Sequence, residues 1–222
     1  VRDILASAFQ SAGQRCSALR ILYVQKDIAD GLLDMLRGAI QELSMGNPWD
    51  VATDIGPIID ASAKRKIAEY VALADSQGRL LYKGNAPDDG LFVAPSILSC
   101  NGIGNLDQEI FGPVLHVATF EADQTDELID AINDAGYGLT FGLHTRIDDR
   151  VQHFVRRMKV GNIYVNRNQI GAVVGSQPFG GEAMSGTGPK AGGPNYVARF
   201  ATERVVCIDT TAAGGNATLL AG

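Results

Sequence analysis

Short apolar runs alternate with amphipathic helical segments over much of this chain, and this alternation restricts the fold more than any other feature. The clearest part predicts a strand over 114–120, a helix over 125–135, a strand over 139–145, a helix over 148–158 and a strand over 162–165. Parallel strands need long crossover connections, which are usually helices. The sequence therefore predicts an α/β fold with a mostly parallel sheet and helices on both faces.

The upstream part repeats the same two kinds of pattern. It predicts a strand over 19–24, a helix over 28–44 with Asp27 as N-cap, a helix from Asp60 to about 76 and a strand over 79–82. An aspartate is a favoured N-cap because its carboxylate accepts a hydrogen bond from a free N–H group of the first turn. The two aspartates therefore mark where the helices are expected to begin.

The C-terminal part differs in composition. Residues 166–195 contain eight glycines and three prolines and show no periodicity. A loop this long within a compact domain is usually functional. Beyond it we predict helical turns over 195–201, a strand over 205–208 and a glycine-rich tail over 210–222, which we expect to pack on another subunit or domain, or to fray.

The bulk composition excludes several classes of protein. Hydrophobic residues make up 45% and charged residues 20% of the 222, as in an ordinary globular protein, and the net charge of −6 argues against nucleic-acid binding. Cys16, Cys100 and Cys207 are widely spaced, and the three histidines lack ligand spacing. We therefore expect no disulfide framework and no metal site, and a reducing, cytoplasmic environment. No apolar run approaches the roughly 20 residues that a membrane-spanning helix needs.

One segment carries the signature of a nucleophile. Residues 9–17 read Phe-Gln-Ser-Ala-Gly-Gln-Arg-Cys-Ser, which places Cys16 after a glycine turn and beside Arg15. A thiol reacts as the thiolate, which a nearby cation favours. Gly13 permits a tight turn, so that the Cys16 amide can point the same way as the sulfur and stabilise an oxyanion. Arg15 could favour the thiolate, attract an acidic substrate or simply face solvent.

This segment resembles the nucleophile motif of the aldehyde dehydrogenase superfamily, Phe-x-x-x-Gly-Gln-x-Cys. Residues 109–113, which read Glu-Ile-Phe-Gly-Pro, resemble a second motif of that family and follow Cys16 by the family's spacing. The resemblance implies an aldehyde-dehydrogenase-like catalytic domain that uses NAD. It further implies that Glu109 binds the ribose next to nicotinamide and that Phe111 packs near the nicotinamide ring.

A third resemblance indicates the substrate. Residues 178–186 resemble the family's Pro-Phe-Gly-Gly-x-x-x-Ser-Gly loop, and the residues that follow resemble the anchor loop of enzymes that oxidise glutamate γ-semialdehyde. The resemblance implies that Ser17 and the adjacent amides of Gly192 and Gly193 hold the α-carboxylate of this small-molecule substrate. It also implies that Phe200 packs on the aliphatic part of the substrate.

The tail at 210–217 resembles the end of the aldehyde dehydrogenase domain in the bifunctional proline-utilisation family. That family carries FAD in a separate proline dehydrogenase domain. We therefore expect residues 1–203 to be a catalytic domain and 204–222 a C-terminal oligomerisation strand and tail, in a parent protein that forms homo-oligomers. In the family the cofactor domain, the general-base glutamate and the oxyanion asparagine all precede the cysteine. We accordingly expect this chain to be the C-terminal half of the enzyme and to be inactive alone.

Two other classes of function remain open on the residues alone. Cys16 could serve a cysteine hydrolase with His116, His144 or His153 as its base, which requires a Cys–His contact. The domain could also be a non-catalytic scaffold of the same fold. A reactive thiol at Cys16 would distinguish an enzyme from a scaffold.

Overall fold

The computed structural model of the protein describes residues 1–173, 175–209 and 218. Its helices are α1 (Arg2–Phe9), α2 (Lys26–Gln41), α3 (Ala61–Ser76), α4 (Thr125–Asp134) and α5 (Asp148–Arg157). Its strands are β1 (Ile21–Gln25), β2 (Leu80–Lys83), β3 (Ser96–Ser99), β4 (Val114–Phe120), β5 (Tyr137–Gly138), β6 (Thr140–Leu143), β7 (Asn162–Val165) and β8 (Glu182–Ala183). Short 3-10 helices occupy Gln10–Gly13, Ile103–Asn105 and Val197–Phe200.

The largest sheet has four strands in the order β1–β4–β3–β2. β1 and β3 both run parallel to β4, whereas β2 is antiparallel to β3. Five consecutive residues of β4, from 114 to 118, are buried. Successive side chains of a strand point to opposite faces, so both faces of β4 are covered, as is typical of a parallel sheet. The prediction of an α/β fold with a mostly parallel sheet is confirmed.

A second, smaller unit follows in the chain. β6 and β7 form a separate two-stranded parallel ladder, and β5 pairs with β8. Here Phe141 stacks on Phe154 with ring centroids 5.5 Å apart, and a small cluster of Ile129, Phe154 and Met158 is buried between the helices and the ladder. The main core instead joins α1, α2 and α3 to the four-stranded sheet, with Phe9, Leu36, Ile67 and Leu115 among its buried members. In the described residues the strands thus form one four-stranded sheet and two separate two-stranded ladders.

The two predicted helix caps have different outcomes. Asp60 caps α3 as expected: its Oδ1 accepts a hydrogen bond from the N–H of Ala63 at 2.7 Å. Asp27 does not cap α2, because the chain passes from β1 into the helix without a loop and the helix begins at Lys26. The Asp27 carboxylate accepts a hydrogen bond from the side chain of Gln25 instead. The predicted start at 28 was therefore wrong.

Other differences lie at short elements. β3 and α1 were not predicted, and both are short segments that tertiary partners define. Residues 205–208 were predicted as a strand, but they lie exposed and pair with no strand among the described residues. A strand needs a neighbour for its N–H and C=O groups, and none is supplied there. The tail prediction for 210–222 falls outside the described residues, apart from 218.

Within the described part of the chain, no helix is long and apolar enough to cross a membrane.

Candidate active site

The Cys16 loop, residues 10–17, follows directly after α1 and contains a strained turn. Ser11 and Ala12 both have φ of 55°, and Gly13 has φ of 67°. The left-handed region is unfavourable for Ser and Ala, at roughly 1 kcal/mol each or more, so the surroundings must hold this turn. Ala12 and Gly13 are buried, whereas Cys16 is exposed. The thiol therefore lies at the surface, while the turn that precedes it is buried and fixed by its surroundings.

Gln14 ties the loop to a distant segment. Its Nε2 donates to the carbonyl oxygen of Pro57 at 3.0 Å, and its Oε1 accepts from the N–H of Ile59 at 2.9 Å. A side-chain amide has a donor and an acceptor at one end, which suits it to pair with backbone in this strand-like manner. Gln14 therefore fixes the turn that precedes Cys16 to the backbone of residues 57 and 59.

The second motif packs directly on the first. A Cβ built at Gly13 would overlap the carbonyl group of Gly112, so the two backbones meet where only a glycine fits. On the other side, the side chain of Ile67 from α3 closes over Gly112. This contact brings Glu109 and Phe111, 93 and 95 residues after Cys16 in the sequence, to the same face of the molecule as the thiol.

Arg20 joins the two motifs through one guanidinium group. Its Nη1 donates to the carbonyl of Gly13 at 2.6 Å, its Nη2 to the carbonyl of Arg15 at 3.0 Å, and its Nε to Oε1 of Glu109 at 2.9 Å. The same guanidinium lies over the Phe111 ring, 4.8 Å from its centroid. Arg20 was not among the site residues predicted from the sequence. The available signal was a charged residue inside an otherwise apolar run, since arginine is seldom buried without partners.

The electrostatics of this cluster follow from burial. The Arg20 side chain is 16% exposed, whereas that of Glu109 is 47% exposed. Burial lowers the pKa of Arg20, and the nearby Glu109 carboxylate and the Cys16 thiol group oppose that shift. A cation is thus held against the Cys16 loop, with a half-exposed carboxylate beside it.

Arg15 and Ser17, on either side of Cys16, differ in exposure and in their partners. Arg15 is exposed, and its Nε donates to the Ser11 hydroxyl at 3.0 Å. Ser17 is buried, and its carbonyl accepts from the side-chain Nε2 of Gln169 at 3.1 Å. The backbone N–H of Gln169 in turn donates to Ser7 of α1 at 3.1 Å. The glycine-rich loop is therefore anchored beside Cys16 by Gln169, which was not among the site residues predicted from the sequence.

The predicted anchor loop is clamped farther along. Asn162 of β7 donates to the Pro178 carbonyl at 2.9 Å and accepts from the Gly180 N–H at 3.2 Å, and residues 179 and 191 form a bridge. Gly192 has φ of 72°, which favours glycine. The N–H of Gly193 donates to the carbonyl of Lys190 at 3.0 Å, so it is engaged within the loop.

Phe200 is 74% exposed and meets Tyr196 edge to face, with ring centroids 5.5 Å apart. In the part of the chain that the structure describes, no hydrogen bond or ring contact joins Phe200, Gly192 or Gly193 to the Cys16 loop. Of the site residues predicted from sequence, the structure brings together Arg15, Cys16, Ser17, Glu109 and Phe111.

The histidines lie away from the thiol. His116 is buried, with Nδ1 2.9 Å from the Arg20 carbonyl oxygen and Nε2 2.8 Å from the Tyr70 hydroxyl. Burial lowers its pKa. Nε2 of His144 lies 3.9 Å from Oδ2 of Asp3, and Nε2 of His153 lies 2.5 Å from Oδ1 of Asp126. Among the described residues no histidine bonds to Cys16, so the contact that a cysteine hydrolase requires is not formed.

Cys100 and Cys207 are also free thiols. Cys100 is half-buried, and burial raises its pKa. Cys207 is exposed, in the segment that follows the last 3-10 helix. Among the described residues, no group of three or more His, Cys, Asp or Glu side chains is arranged to hold a metal ion.

This loop, with its free thiol joined to a Glu-x-Phe-Gly-Pro segment, is the arrangement of an aldehyde dehydrogenase. The chain belongs to the aldehyde dehydrogenase family, whose model matches residues 1–206.

Its similarity extends to particular members of that family. It is 52% identical over 212 residues to the bifunctional protein PutA of Escherichia coli, covering 92% of this chain and 16% of that protein. It is 39% identical over 199 residues to a 1-pyrroline-5-carboxylate dehydrogenase of Geobacillus, covering 88% of this chain and 38% of that protein. The chain thus spans well under half the length of these relatives.

Solved structures agree. A proline utilization A structure from Bradyrhizobium japonicum superposes with a TM-score of 0.90 and 54% identity, covering 96% of this chain and 22% of that one. A 1-pyrroline-5-carboxylate dehydrogenase from Thermus with bound NAD superposes with a TM-score of 0.81 and 33% identity, covering 90% of this chain and 39% of that one.

Proposed function

We propose that these residues form the nucleophile-bearing part of an NAD-dependent dehydrogenase that oxidises L-glutamate γ-semialdehyde to L-glutamate in proline catabolism. The observation that carries this proposal is the union of Cys16, Glu109 and Phe111 on one face through Arg20. The names of the similar proteins, PutA and 1-pyrroline-5-carboxylate dehydrogenase, support the choice of substrate.

Cys16 supplies the nucleophile in this proposal. Its thiolate attacks the aldehyde carbon, the carbon–sulfur bond forms, and the carbonyl electron pair becomes an oxyanion. The Cys16 N–H has no hydrogen-bond acceptor among the described residues, so it is available to that oxyanion. Loss of hydride leaves a thioester, which water hydrolyses to the carboxylate while the thiol is released.

Glu109 and Phe111 fit the nicotinamide end of a dinucleotide. Oε1 of Glu109 is paired with Arg20, while the half-exposed carboxylate can still accept from vicinal ribose hydroxyls. Phe111 is 46% exposed, with Arg20 stacked on its ring, and an aromatic ring can orient a planar nicotinamide. When bound, NAD supplies the hydride acceptor for the reaction.

For the substrate's α-carboxylate we propose Ser17 with the amides of the Gly192–Gly193 pair, and Phe200 for its aliphatic part. Gly192 has φ of 72°, and a left-handed glycine is one component of the turns whose N–H groups converge on an anion, which supports its role. Gly193 can contribute only if its N–H leaves the Lys190 carbonyl. We propose that Arg15, which is exposed beside Cys16, attracts this acidic substrate by its positive charge.

The organisation of the whole protein is also part of the proposal. We propose that residues 1–203 are the catalytic domain and that 204–222 contact another copy in a homo-oligomer, which the exposed Val205, Val206 and Ile208 support. FAD would belong to a separate domain. We also propose a cytoplasmic location for the protein, which the three free thiols support. Residues 1–222 alone are expected to give no steady-state turnover.

The test compares aldehydes in the full-length gene product that contains these residues. The proposal expects NADH formation from glutamate γ-semialdehyde with a kcat/KM well above that for butyraldehyde, which lacks the α-carboxylate. Ser17→Ala should narrow this difference, because the hydroxyl acts on the carboxylate only. Oxidation of butyraldehyde with equal efficiency would contradict the substrate assignment, and NAD binding without oxidation of any aldehyde would favour a scaffold.

A further inference from the structure

The Arg20 guanidinium contacts both the Cys16 loop and the two residues that the proposed function assigns to the cofactor. It donates to two carbonyls of the Cys16 loop and to the carboxylate of Glu109, and it lies over the ring of Phe111. A guanidinium is planar and offers five N–H donors in a fixed fork, so it can bond to several acceptors in different directions at once. A lysine ammonium is a point donor and cannot span the same acceptors.

The bond to the Arg15 carbonyl has a geometric consequence for Cys16. The peptide unit that joins Arg15 to Cys16 is planar and trans, so its C=O and N–H groups point in opposite directions. Arg20 Nη2 and the N–H of Ala18 both donate to that carbonyl, each at 3.0 Å. The Cys16 N–H is therefore directed away from Arg20, where it has no acceptor among the described residues.

The guanidinium also contacts Glu109 and Phe111, the two residues proposed to bind the cofactor. The 2.9 Å bond from Nε fixes Oε1 of Glu109, and the stacked guanidinium supports the ring of Phe111. The carbonyl of Arg20 is itself held by the N–H and Nδ1 of buried His116, so the residue that carries the fork is fixed at its backbone. Arg20 is thus fixed at its backbone, while its side chain contacts both the Cys16 loop and the two proposed cofactor-binding residues.

We propose that Arg20 is a positioning residue that aims the Cys16 amide at the developing oxyanion and fixes the Glu109 carboxylate for the cofactor, and so couples the two halves of the site. The inference rests on the proposed function for the roles of Cys16 and Glu109. It goes beyond that function in assigning the coupling to one side chain.

The test uses Arg20→Lys and Arg20→Ala in the full-length gene product. The matched control is Arg157→Lys, because Arg157 also makes two ion pairs, with Asp126 and Asp130, on the exposed surface of α4 and α5. The inference expects Arg20→Lys to lower kcat by about tenfold or more, since loss of one oxyanion donor costs about a hundredfold. The KM for NAD should rise as well, while Arg157→Lys changes neither.

A second readout separates positioning from folding and from the proposed dehydrogenase. 4-Nitrophenyl acetate acylates the thiol without NAD: the sulfur bonds to the acyl carbon, 4-nitrophenolate leaves, and the thiol proton passes to water. The rate should fall in Arg20→Lys, with Cys16→Ala as the baseline. Added guanidinium should partly restore the rate in Arg20→Ala, which a purely structural defect would not allow.

The outcomes decide between the two claims. A wild type that is acylated by the ester but oxidises no aldehyde contradicts the proposed function, while the ester comparison still tests Arg20. Acylation, kcat and KM all within twofold of wild type in Arg20→Lys would overturn the inference. If the Arg20 variants do not fold, Glu109→Gln loosens the guanidinium from the cofactor side. Coupling then expects slower ester acylation, and an unchanged rate would overturn the inference.

Discussion

The backbone of Gly13 meets the backbone of Gly112 so closely that no side chain fits between them. A Cβ on Gly13 would lie 2.6 Å from the carbonyl carbon of Gly112 and 2.9 Å from the carbonyl oxygen of Ala8. The φ of Gly13, 67°, is itself costly for any L side chain. Steric exclusion and backbone conformation thus both require glycine at the place where the thiol loop meets the Glu109 segment.

Gly13→Ala is therefore expected to destabilise the protein by about 3 kcal/mol or more, because overpacking adds to the left-handed strain. Two controls separate these contributions. Gly78→Ala has the same positive φ, 70°, with nothing within 4 Å, and should cost about 1 kcal/mol. Gly31→Ala lies in the open on α2 and should be neutral or stabilising. Apparent melting temperatures should follow this order, and equal effects of Gly13→Ala and Gly78→Ala would refute the close approach.

Gln14→Leu should loosen the Cys16 loop without touching the thiol. The substitution removes both bonds to residues 57 and 59 and leaves backbone groups unpaired, at a cost of about 1–2 kcal/mol. A misplaced nucleophile should lower kcat by roughly tenfold or more. Gln152→Leu, on the exposed face of α5, is the control. An unchanged kcat of Gln14→Leu at saturating substrate would show that the Gln14 hydrogen bonds are not needed to position the Cys16 loop.

His116 gives the protein a specific sensitivity to acid. Burial lowers its pKa below the ordinary value of 6.5; the hydrogen bond to the Arg20 carbonyl opposes this shift, and the positive charges of Arg79 and Arg20 add to it. The unfolded chain therefore binds more protons than the folded chain below about pH 6.5, so stability is lost as pH falls toward the folded pKa. The added proton goes to Nε2, which faces the Tyr70 hydroxyl, whereas Nδ1–H can still donate to the Arg20 carbonyl.

The measurement for this point is the apparent melting temperature at about pH 7.5 and about pH 5.5. Wild type should lose more stability on acidification than His116→Asn, whose side-chain N–H can still donate to the Arg20 carbonyl. His144→Asn serves as a control at a half-exposed histidine. An acid loss of the same size in wild type and His116→Asn would assign the sensitivity to other groups.

The sequence was sufficient where local pattern and local structure coincide. The strand Val114–Phe120 and the strand Asn162–Val165 were predicted with their observed bounds. β3, in contrast, follows a proline and includes two serines, and it is a strand only because β4 and β2 pair with it. Residues 205–208 have the composition of a strand but lack a partner in the described chain.

The same division applies to the site. Motif spacing identified Cys16, Glu109 and Phe111, whereas Arg20 gained significance only from a bond to a residue 89 positions away. Gln169 likewise meets Ser17 across 152 positions. Such contacts depend on how β1, β4 and the glycine-rich loop come together, and no local pattern encodes that distance.

We propose that Cys16 is the nucleophile of an NAD-dependent aldehyde oxidation. The most direct measurement is NADH formation from glutamate γ-semialdehyde by the full-length gene product, compared among wild type, Cys16→Ala, Cys100→Ala and Cys207→Ala. We expect only Cys16→Ala to abolish the activity, while the other two variants keep it. Activity that survives in Cys16→Ala, or a wild type that binds NAD but forms no NADH from this aldehyde, would contradict it.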